Sequence, residues 1–503
     1  MSSEWSDGLT VRDDGEESEM TMTDRSRWIA LYVLCLGTLM IVLDVTIVGV
    51  ALPSIKADLG FSSNSIAWVV NAYLLTFGGC LLLGGRLGDL YGHRRLFLIG
   101  LGVFTLASLA CGLSNSQGLL IAARAVQGLG GAVVSSVSFG LVMTLFTEPA
   151  ERAKAMGIAG FVASGGGSIG VLLGGVLTGT LSWHWIFLVN VPIGILVFML
   201  SLRLLPEAPG HAISRSLDIA GAVTVTASLM LAVYGINGHP GGWRSATTIG
   251  LLIGAVGLFA AFVAWEMRVE APLMPLRLFL HRNLSTANGV GILWAGAMFA
   301  WFFISSQYLQ FVLGYKPLKV GLAFLPGNLI MGALSIGVSA KLVMKYGYRK
   351  PLAAGLLLAA LGLGLLARAP EHGHFVQNVL PSMILLGLGA GIAFNPVLLA
   401  AMGDVEPQQA GIASGIVNTS FMMGGALGFA VLASIASSRT SSLQTAGHSA
   451  SAALTGGYHA AFLGGTICAV LAAVVGVALL HEAKVPGFAQ GERLGAEPVF
   501  DVD

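Results

Sequence analysis

The sequence has 503 residues, of which 55% are hydrophobic and only 10% are charged. Soluble globular proteins carry about 25% charged residues, and so apolar a chain could not keep its surface solvated. The net charge is +1, so the composition favours no nucleic-acid partner. The composition therefore predicts an integral membrane protein whose partner is the lipid bilayer.

Long apolar runs follow a polar, acidic stretch, which we predict to be a disordered cytoplasmic arm over residues 1–27. A membrane-spanning helix needs about 20 apolar residues. The sequence predicts an all-α fold with fourteen transmembrane helices, because fourteen such runs follow one another, at 28–53, 66–87, 95–113, 117–146, 153–180, 185–205, 218–237, 246–266, 285–313, 318–343, 351–368, 377–403, 409–436 and 459–481.

Basic residues are divided unevenly between the loops on the two sides of the predicted bundle. With the N-terminus placed in the cytoplasm, most of the 26 lysines and arginines fall on the cytoplasmic side. The outer loops hold only Lys56, Arg244, Lys316, Lys319, Arg368 and Arg439. Because cytoplasmic loops are enriched in basic residues, we expect a multi-pass protein of a bacterial plasma (inner) membrane with both termini inside.

An internal repeat predicts the organisation of the chain. "GRLGDLYGHRR" (85–95) resembles "AKLVMKYGYRK" (340–350) at an offset of 255, and "GSIG" (167–170) matches "GALG" (425–428) at an offset of 258. We expect two six-helix repeats, spans 1–6 and 9–14, with two helices inserted between them. The predicted divisions are 1–27, 28–205, 206–284, 285–481 and a cytoplasmic tail at 482–503. Such repeats are typical of transporters with a substrate site between the halves.

Two opposite charges lie at similar depths inside predicted spans. Arg124 is about seven residues, roughly 10 Å, from the outer end of span 4, and Asp44 is about nine residues, roughly 13 Å, from the outer end of span 1. Charges in hydrocarbon are costly, so they face the bundle interior and pair. An arginine favours a charged carboxylate and burial disfavours it, so a change in their distance would bind or release a proton. A static structural ion pair is the alternative.

Three further motifs accompany this pair. Gln127 lies one turn beyond Arg124 on the same helix face, where it could hold the guanidinium or a substrate. Span 5 carries glycines at a four-residue spacing that predicts close helix contact, namely Gly166, Gly170 and Gly174, with Gly175 beside them. The cytoplasmic end of span 2 predicts a tight turn with an ion-pair latch, from Gly85, Arg86, Asp89, Gly92, Arg94 and Arg95.

No enzymatic or cofactor site is evident in the sequence. The GxxxxGK[ST] phosphate-binding sequence is missing, so we expect no ATPase and a dependence on the proton-motive force. His372 and His374 lie near Glu371 in a predicted outer loop, but two close histidines in a loop are a weak metal signature. We therefore predict no metal, no cofactor and no enzymatic activity.

These motifs together resemble the major facilitator superfamily, in particular its fourteen-span drug:proton antiporter branch. The resemblance covers roughly residues 25–480 and includes "SWHWIFLVNVPIG" after span 5. The matching positions are Leu43, Asp44, Thr46, Ile47, Val48, Ala51, Leu52 and Pro53 in span 1, Gly85, Asp89, Gly92, Arg94 and Arg95 in the first cytoplasmic loop, and Arg124, Gln127, Gly128 and Gly130 in span 4.

The resemblance implies a function and roles for residues. Asp44 would be the proton-coupling acid with Arg124 as its partner, and the first cytoplasmic loop would form a gate. The cavity would be lined by spans 1, 2, 4, 5, 9, 10, 12 and 13. Polar and aromatic residues there are candidates for contact with a small amphipathic substrate, namely Trp68, Asn71, Tyr73, Phe299, Phe303, Gln307, Asn328, Asn395 and Asn418.

Several positions depart from the pattern of this branch. Val171 stands where a proline is usual in span 5, Gly49 where asparagine is usual, and His184 where arginine is usual. Met344 occupies the place of Asp89 in the second repeat, so the latch is asymmetric.

We expect a monomeric, proton-coupled exporter of amphipathic drugs or antibiotics that works by alternating access. A dedicated exporter of one metabolite or antibiotic, an uptake system and a non-transporting membrane sensor are the alternatives.

Overall fold

A computed structural model describes residues 24–62, 65–146, 148–206, 218–237, 245–270, 272–403, 405 and 410–481. All regular structure in these ranges is helical. The predicted arm, apart from its last residues 24–27, lies outside them, and so does the predicted tail at 482–503.

The first nine helices cover the first predicted repeat and the inserted pair. They are α1 (Asp24–Leu59), α2 (Trp68–Tyr91), α3 (His93–Gly112), α4 (Gln117–Leu145), α5 (Pro149–Thr180), α6 (Trp185–Leu188), α7 (Asn190–Leu204), α8 (Ile219–Asn237) and α9 (Ala246–Glu266). The short α6 and α7 together occupy the sixth predicted span.

Seven further helices cover the second predicted repeat. They are α10 (Arg282–Gln307), α11 (Pro317–Ala333), α12 (Ser339–Tyr346), α13 (Arg349–Leu366), α14 (Leu380–Met402), α15 (Ala410–Thr445) and α16 (Ala450–Leu479). π-helical turns extend α10, join α11 to α12 and precede α14, at Tyr308–Val312, Leu334–Val338 and Phe375–Val379.

Twelve helices in the described ranges are long and apolar enough to cross a membrane. Two shorter apolar helical segments, Ile169–Thr180 within α5 and Pro317–Ala333, lie in the fifth and tenth predicted spans. An all-helical membrane protein is therefore found, while the count of fourteen is reached only if these two helices also cross. The second of them is shortened because a π-helical turn begins directly after it.

Helix ends differ from the predicted span ends. α1 begins at Asp24 rather than residue 28, α15 continues to Thr445 rather than residue 436, and α16 begins at Ala450 rather than residue 459. The additional turns are polar or rich in serine and alanine. Hydropathy detects the apolar stretch and not the backbone hydrogen bonds that continue beyond it.

Helix packing groups the elements into two sets with a smaller pair at one side. α1 packs on α5 and α4 on α2 and α3, while α10 packs on α15 and α16 and α13 on α14. The two sets meet where α5 contacts α11 and where α2 contacts α15. α8 and α9 pack on each other, and α8 also contacts α2 and α15.

Matching turns occur at equivalent places of the two sequence repeats. α2 ends and α3 begins around Gly92 with φ +90°, and α12 ends at Gly347 with φ +72°. Side chains other than glycine rarely adopt such backbone angles. Two residues after each glycine an arginine donates to a carbonyl near the end of the last helix of its set. Arg94 Nη2 bonds Leu202 O at 2.6 Å, and Arg349 Nη2 bonds Val477 O.

Candidate functional site

Asp44 of α1 is fully buried and accepts three hydrogen bonds from two other helices. Arg124 Nη1 lies 2.5 Å from its Oδ2 atom. Its Oδ1 atom accepts from Gln127 Nε2 at 2.7 Å and from Asn190 Nδ2 at 3.1 Å. The charge of the carboxylate is therefore neutralised by one cation, and its remaining lone pairs are satisfied by two amide groups.

Arg124 is held by more than its ion pair. Its Nε atom donates to Val69 O at 2.9 Å, and Nη1 also donates to Gln127 Oε1 at 2.6 Å. The guanidinium carbon lies 4.3 Å from the ring centroid of Tyr73 and 5.6 Å from that of Phe187. A planar guanidinium fits this combination of stacking and fixed donors, which an ammonium group cannot reproduce.

Gln127 extends the network to α3. Its Nε2 atom donates to Ser108 Oγ at 2.8 Å, and the hydroxyl of Ser108 donates to Phe104 O. The side chains of this network come from α1, α2, α3, α4, α6 and α7. A shift of α1 against α4 would therefore break several charge-assisted hydrogen bonds at once.

Local sequence places Arg124 at this depth. Ser116 caps the start of α4 by accepting from Leu119 N at 3.4 Å, so Arg124 follows two turns later. Beyond it, Gly128 and Gly130 let α4 approach its neighbours. A Cβ atom at Gly128 would lie 2.5 Å from Tyr73 O, and one at Gly130 would lie 2.6 Å from Phe104 N. These glycines therefore permit α4 to pack between α2 and α3.

The glycines of α5 divide between two neighbouring helices. A Cβ atom at Gly166 would lie 2.8 Å from Leu39 Cδ1, one at Gly170 3.0 Å from Leu43 O, and one at Gly174 2.7 Å from Ile47 O. These three glycines thus face α1 on both sides of Asp44.

Gly175 faces the other set of helices. A Cβ atom there would lie 2.6 Å from Pro317 O of α11. The backbone of α5 therefore packs closely against the backbone of α1 in one set and of α11 in the other.

The loop motif between α2 and α3 forms a one-residue turn. Gly92 is the turn, and Asp89 Oδ1 lies 3.4 Å from Nε2 of His93 in the next helix. Arg94 makes the carbonyl contact described above. Gly85, Arg86 and Arg95 are half-buried or exposed around this turn.

The predicted cavity residues lie in several environments. Asn71 of α2 and Asn328 of α11 are fully buried, and within the described ranges neither amide group has a hydrogen-bond partner. Tyr73 stacks on Arg124, so it belongs to the charge network, although its hydroxyl meets no partner in that same part of the chain. Phe299 and Phe303 of α10 stack with ring centroids 5.8 Å apart.

The remaining four cavity candidates are less buried. Trp68 has its ring centroid 6.4 Å from that of Tyr234 in α8, and Asn395 donates to Ser335 O at 2.8 Å. Gln307 is half-buried and Asn418 is exposed. The structure therefore brings together only some of the nine candidates. Phe299 and Phe303 contact each other, and Tyr73 contacts the charge network.

A family model named Major Facilitator Superfamily matches residues 34–429. The chain belongs to the Major Facilitator Superfamily. It is 38% identical over 464 residues to the puromycin resistance protein pur8 of Streptomyces alboniger, which covers 91% of this chain and 90% of that protein. It is 41% identical over 417 residues to the cephamycin export protein CmcT of Amycolatopsis lactamdurans, at 82% and 85% coverage.

The fold agrees with this family. The xylose transporter XylE of E. coli, solved in a partially occluded inward-open conformation, superposes with a TM-score of 0.59 at 16% identity, over 90% of this chain and 97% of that one. The protein is thus a multi-pass membrane protein of a transporter family, and these two relatives are named as a resistance protein and an export protein rather than as enzymes.

Asn190 and Ser108 belong to the charge network, but the sequence interpretation did not assign them to it. Asn190 carries a signal, since it is a polar residue within the apolar segment "FLVNVPIG". Ser108 carries none, because serines in membrane helices commonly bond their own backbone. For metals, no group of three or more potential ligands occurs among the described residues.

Proposed function

We propose that this superfamily member is a proton-coupled exporter of small amphipathic molecules, with Asp44 as the coupling acid. The observation that carries the proposal is the burial of Asp44 between α1 and α4, where Arg124 and two amide groups hold it. A buried carboxylate whose cation stands on another helix has a protonation state that depends on the relative position of the two helices.

Protonation of Asp44 would remove the attraction that joins α1 to α4. The neutral acid no longer compensates Arg124, so the guanidinium would exchange its carboxylate partner for other acceptors. Because α1 packs on the glycine face of α5 and α5 contacts α11, a shift of α1 would reach the second set of helices. Such a shift is one way to link proton binding to alternating access.

The substrate class follows from the relatives and from the inner surface. The relatives are named for puromycin resistance and for cephamycin export. Stacked Phe299 and Phe303 are buried here and would offer an apolar surface to a substrate when the helices around them separate. The amide groups of Asn71 and Asn328, which are also buried, could then bond polar groups of that substrate. Because these relatives are each named for one antibiotic, a dedicated antibiotic exporter is the second candidate.

The finer topology belongs to the same proposal. The helices α5 and α11 would provide the fifth and tenth crossings and bring the total to fourteen, arranged as two six-helix repeats with α8 and α9 inserted. The Gly92 end of the bundle would face the cytoplasm, because basic residues concentrate there. We further propose a monomer in the bacterial plasma membrane with both termini inside, driven by the proton-motive force without a cofactor.

Everted membrane vesicles test the coupling. Addition of puromycin, or of a lipophilic cation, to vesicles holding a pH gradient should dissipate the gradient for the wild type and for Glu270→Gln, which removes an exposed carboxylate. The Asp44→Asn variant should leave the gradient intact while still reaching the membrane. Dissipation that persists in Asp44→Asn would place the coupling acid elsewhere. No response of the wild type to any compound of this class would contradict amphipathic drug export.

A further inference from the structure

A pair of buried carboxyl groups joins the two ends of the α8–α9 hairpin. Asp218 directly precedes α8, and Glu266 is the last residue of α9. Their side chains belong to residues that are 6% and 3% exposed. Among the described residues, only Asp44 is a comparably buried acid. The proposed coupling of Asp44 to transport does not involve this pair.

One oxygen of each carboxyl group is occupied by neutral donors. Asp218 Oδ1 accepts from Gly221 N and from Trp265 Nε1, each at 2.8 Å. Glu266 Oε2 accepts from Met274 N at 3.1 Å. These bonds fix both groups in place without adding a positive charge.

The other two oxygens face each other. Asp218 Oδ2 and Glu266 Oε1 meet no donor from the described chain, and both lie beside Gly221. A Cβ atom at Gly221 would overlap Asp218 Oδ2 and would lie 2.7 Å from Glu266 Oε1. Only glycine therefore leaves room for the carboxyl groups to meet.

No cation compensates the pair within the described ranges. The ion pairs found there involve other acids. The helices α8 and α9 carry no further charged residue, and the sole charge of α15 is Arg439, near its far end. The helix α2 brings Arg86 and Asp89 to this end of the bundle, while Arg268, Glu270 and Arg277 after α9 are exposed.

We propose that Asp218 and Glu266 form a second proton-binding site, in which one proton is held between Oδ2 and Oε1. Two carboxylates side by side and out of water repel each other strongly when both are ionised, and one proton shared between them removes this repulsion. The neutral donors on Oδ1 and Oε2 stabilise the single negative charge that remains. The ligand of this site is the proton itself.

The site is placed where its proton affects helices of the transport bundle. Thr226 of α8 lies against Gly79 of α2, and Ser434 of α15 donates to Ile236 O at 3.2 Å. Loss of the proton would put two like charges in contact and separate the start of α8 from the end of α9. The pair thus ties the inserted hairpin closed as long as it is protonated.

Infrared spectroscopy of the purified full-length protein in lipid nanodiscs tests the proposal without any transport measurement. The Asp44→Asn background removes the other buried acid. At neutral pH this protein should show a protonated-carboxyl C=O band that shifts in D2O. Its amplitude should match one carboxyl group. The Glu270→Gln control should keep the band, and Glu266→Gln or Asp218→Asn should abolish it.

The result contradicts the proposal if the Asp44→Asn protein has no such band at neutral pH, or if the band survives both Glu266→Gln and Asp218→Asn. In the Asp44→Asn protein, Asp218 and Glu266 are the remaining buried acids of the described part of the chain. If either substitution prevents folding, the presence or absence of the band in the Asp44→Asn protein therefore decides the question. The measurement is independent of the antiport proposal, since neither drug nor proton gradient is present.

Discussion

Equivalent pairs of helices in the two halves of the molecule contact each other through different side chains. In the first half, α1 meets α4 through the ion pair of Asp44 and Arg124. In the second half, α10 meets α14 through Trp301 Nε1, which lies 3.3 Å from Met383 Sδ. Trp301 follows Asp44 at an offset of 257 and Met383 follows Arg124 at an offset of 259, close to the offsets of the sequence repeat.

The difference shows which parts of a repeated scaffold carry a charge. The turn glycines and the arginine contacts to carbonyl groups occur in both halves, whereas among the described residues a buried ion pair is found only in the first. Helix contact itself therefore does not require the charges, since a tryptophan and a thioether serve at the matching place. Packing at this place therefore does not account for the ion pair, which agrees with the role in proton coupling that we propose for Asp44.

The largest effect is expected from breaking the ion pair. Arg124→Leu leaves Asp44 buried without a cation, so we expect a loss of about 3–5 kcal/mol in the free energy of unfolding. The double substitution Arg124→Leu with Asp44→Leu should recover a large part of this loss. Thermal unfolding of the purified proteins in detergent measures both. An Arg124→Leu protein as stable as the wild type would show that the pair does not stabilise the fold.

A smaller effect should distinguish the two glycine contacts. A Cβ atom at Gly428 would overlap Gly296 Cα, and one at Gly170 would overlap Thr46 Oγ1. Each alanine substitution should cost about 1–3 kcal/mol through overpacking. Thr46→Ala should partly restore Gly170→Ala, whereas Gly296 has no side chain to shorten. Unfolding midpoints of the single and double variants provide the test, and equal stability of Gly170→Ala with and without Thr46→Ala would contradict it.

The smallest effect is expected in the uncharged half. Trp301→Phe removes one N–H donor and keeps an aromatic ring, so it should cost about 1 kcal/mol. Drug-dependent proton movement in everted vesicles should remain at the wild-type level, in contrast to Asp44→Asn. Loss of this movement in a stable Trp301→Phe protein would mean that both helix contacts take part in coupling.

Sequence reasoning reached the charge network because charges are rare in apolar spans. The matching depths of Asp44 and Arg124 predicted their contact, and one-turn spacing placed Gln127 beside them. Asn190 and Ser108 were missed, because their contacts depend on how α7 and α3 pack on α1 and α4. Sequence gives residue depth along a helix but not the relative rotation of neighbouring helices.

The carboxyl pair of the hairpin was overlooked for a different reason. Asp218 and Glu266 stand at the ends of predicted spans, where an acid is normally solvated. Only the packing of α8 on α9 with the following segment reveals that both are buried. The end of the tenth predicted span was misplaced for a similar reason. Hydropathy does not reveal the π-helical turn at which α11 ends.

The one-residue turn at Gly92 restricts how the bundle can open. A single residue spans at most about 3.6 Å, so the end of α2 and the start of α3 cannot move apart. The two residues between α12 and α13 impose nearly the same limit in the other half. Any widening at this end of the molecule therefore leaves α2 joined to α3 and α12 joined to α13, and each joint acts as a fixed-length tether within its own set.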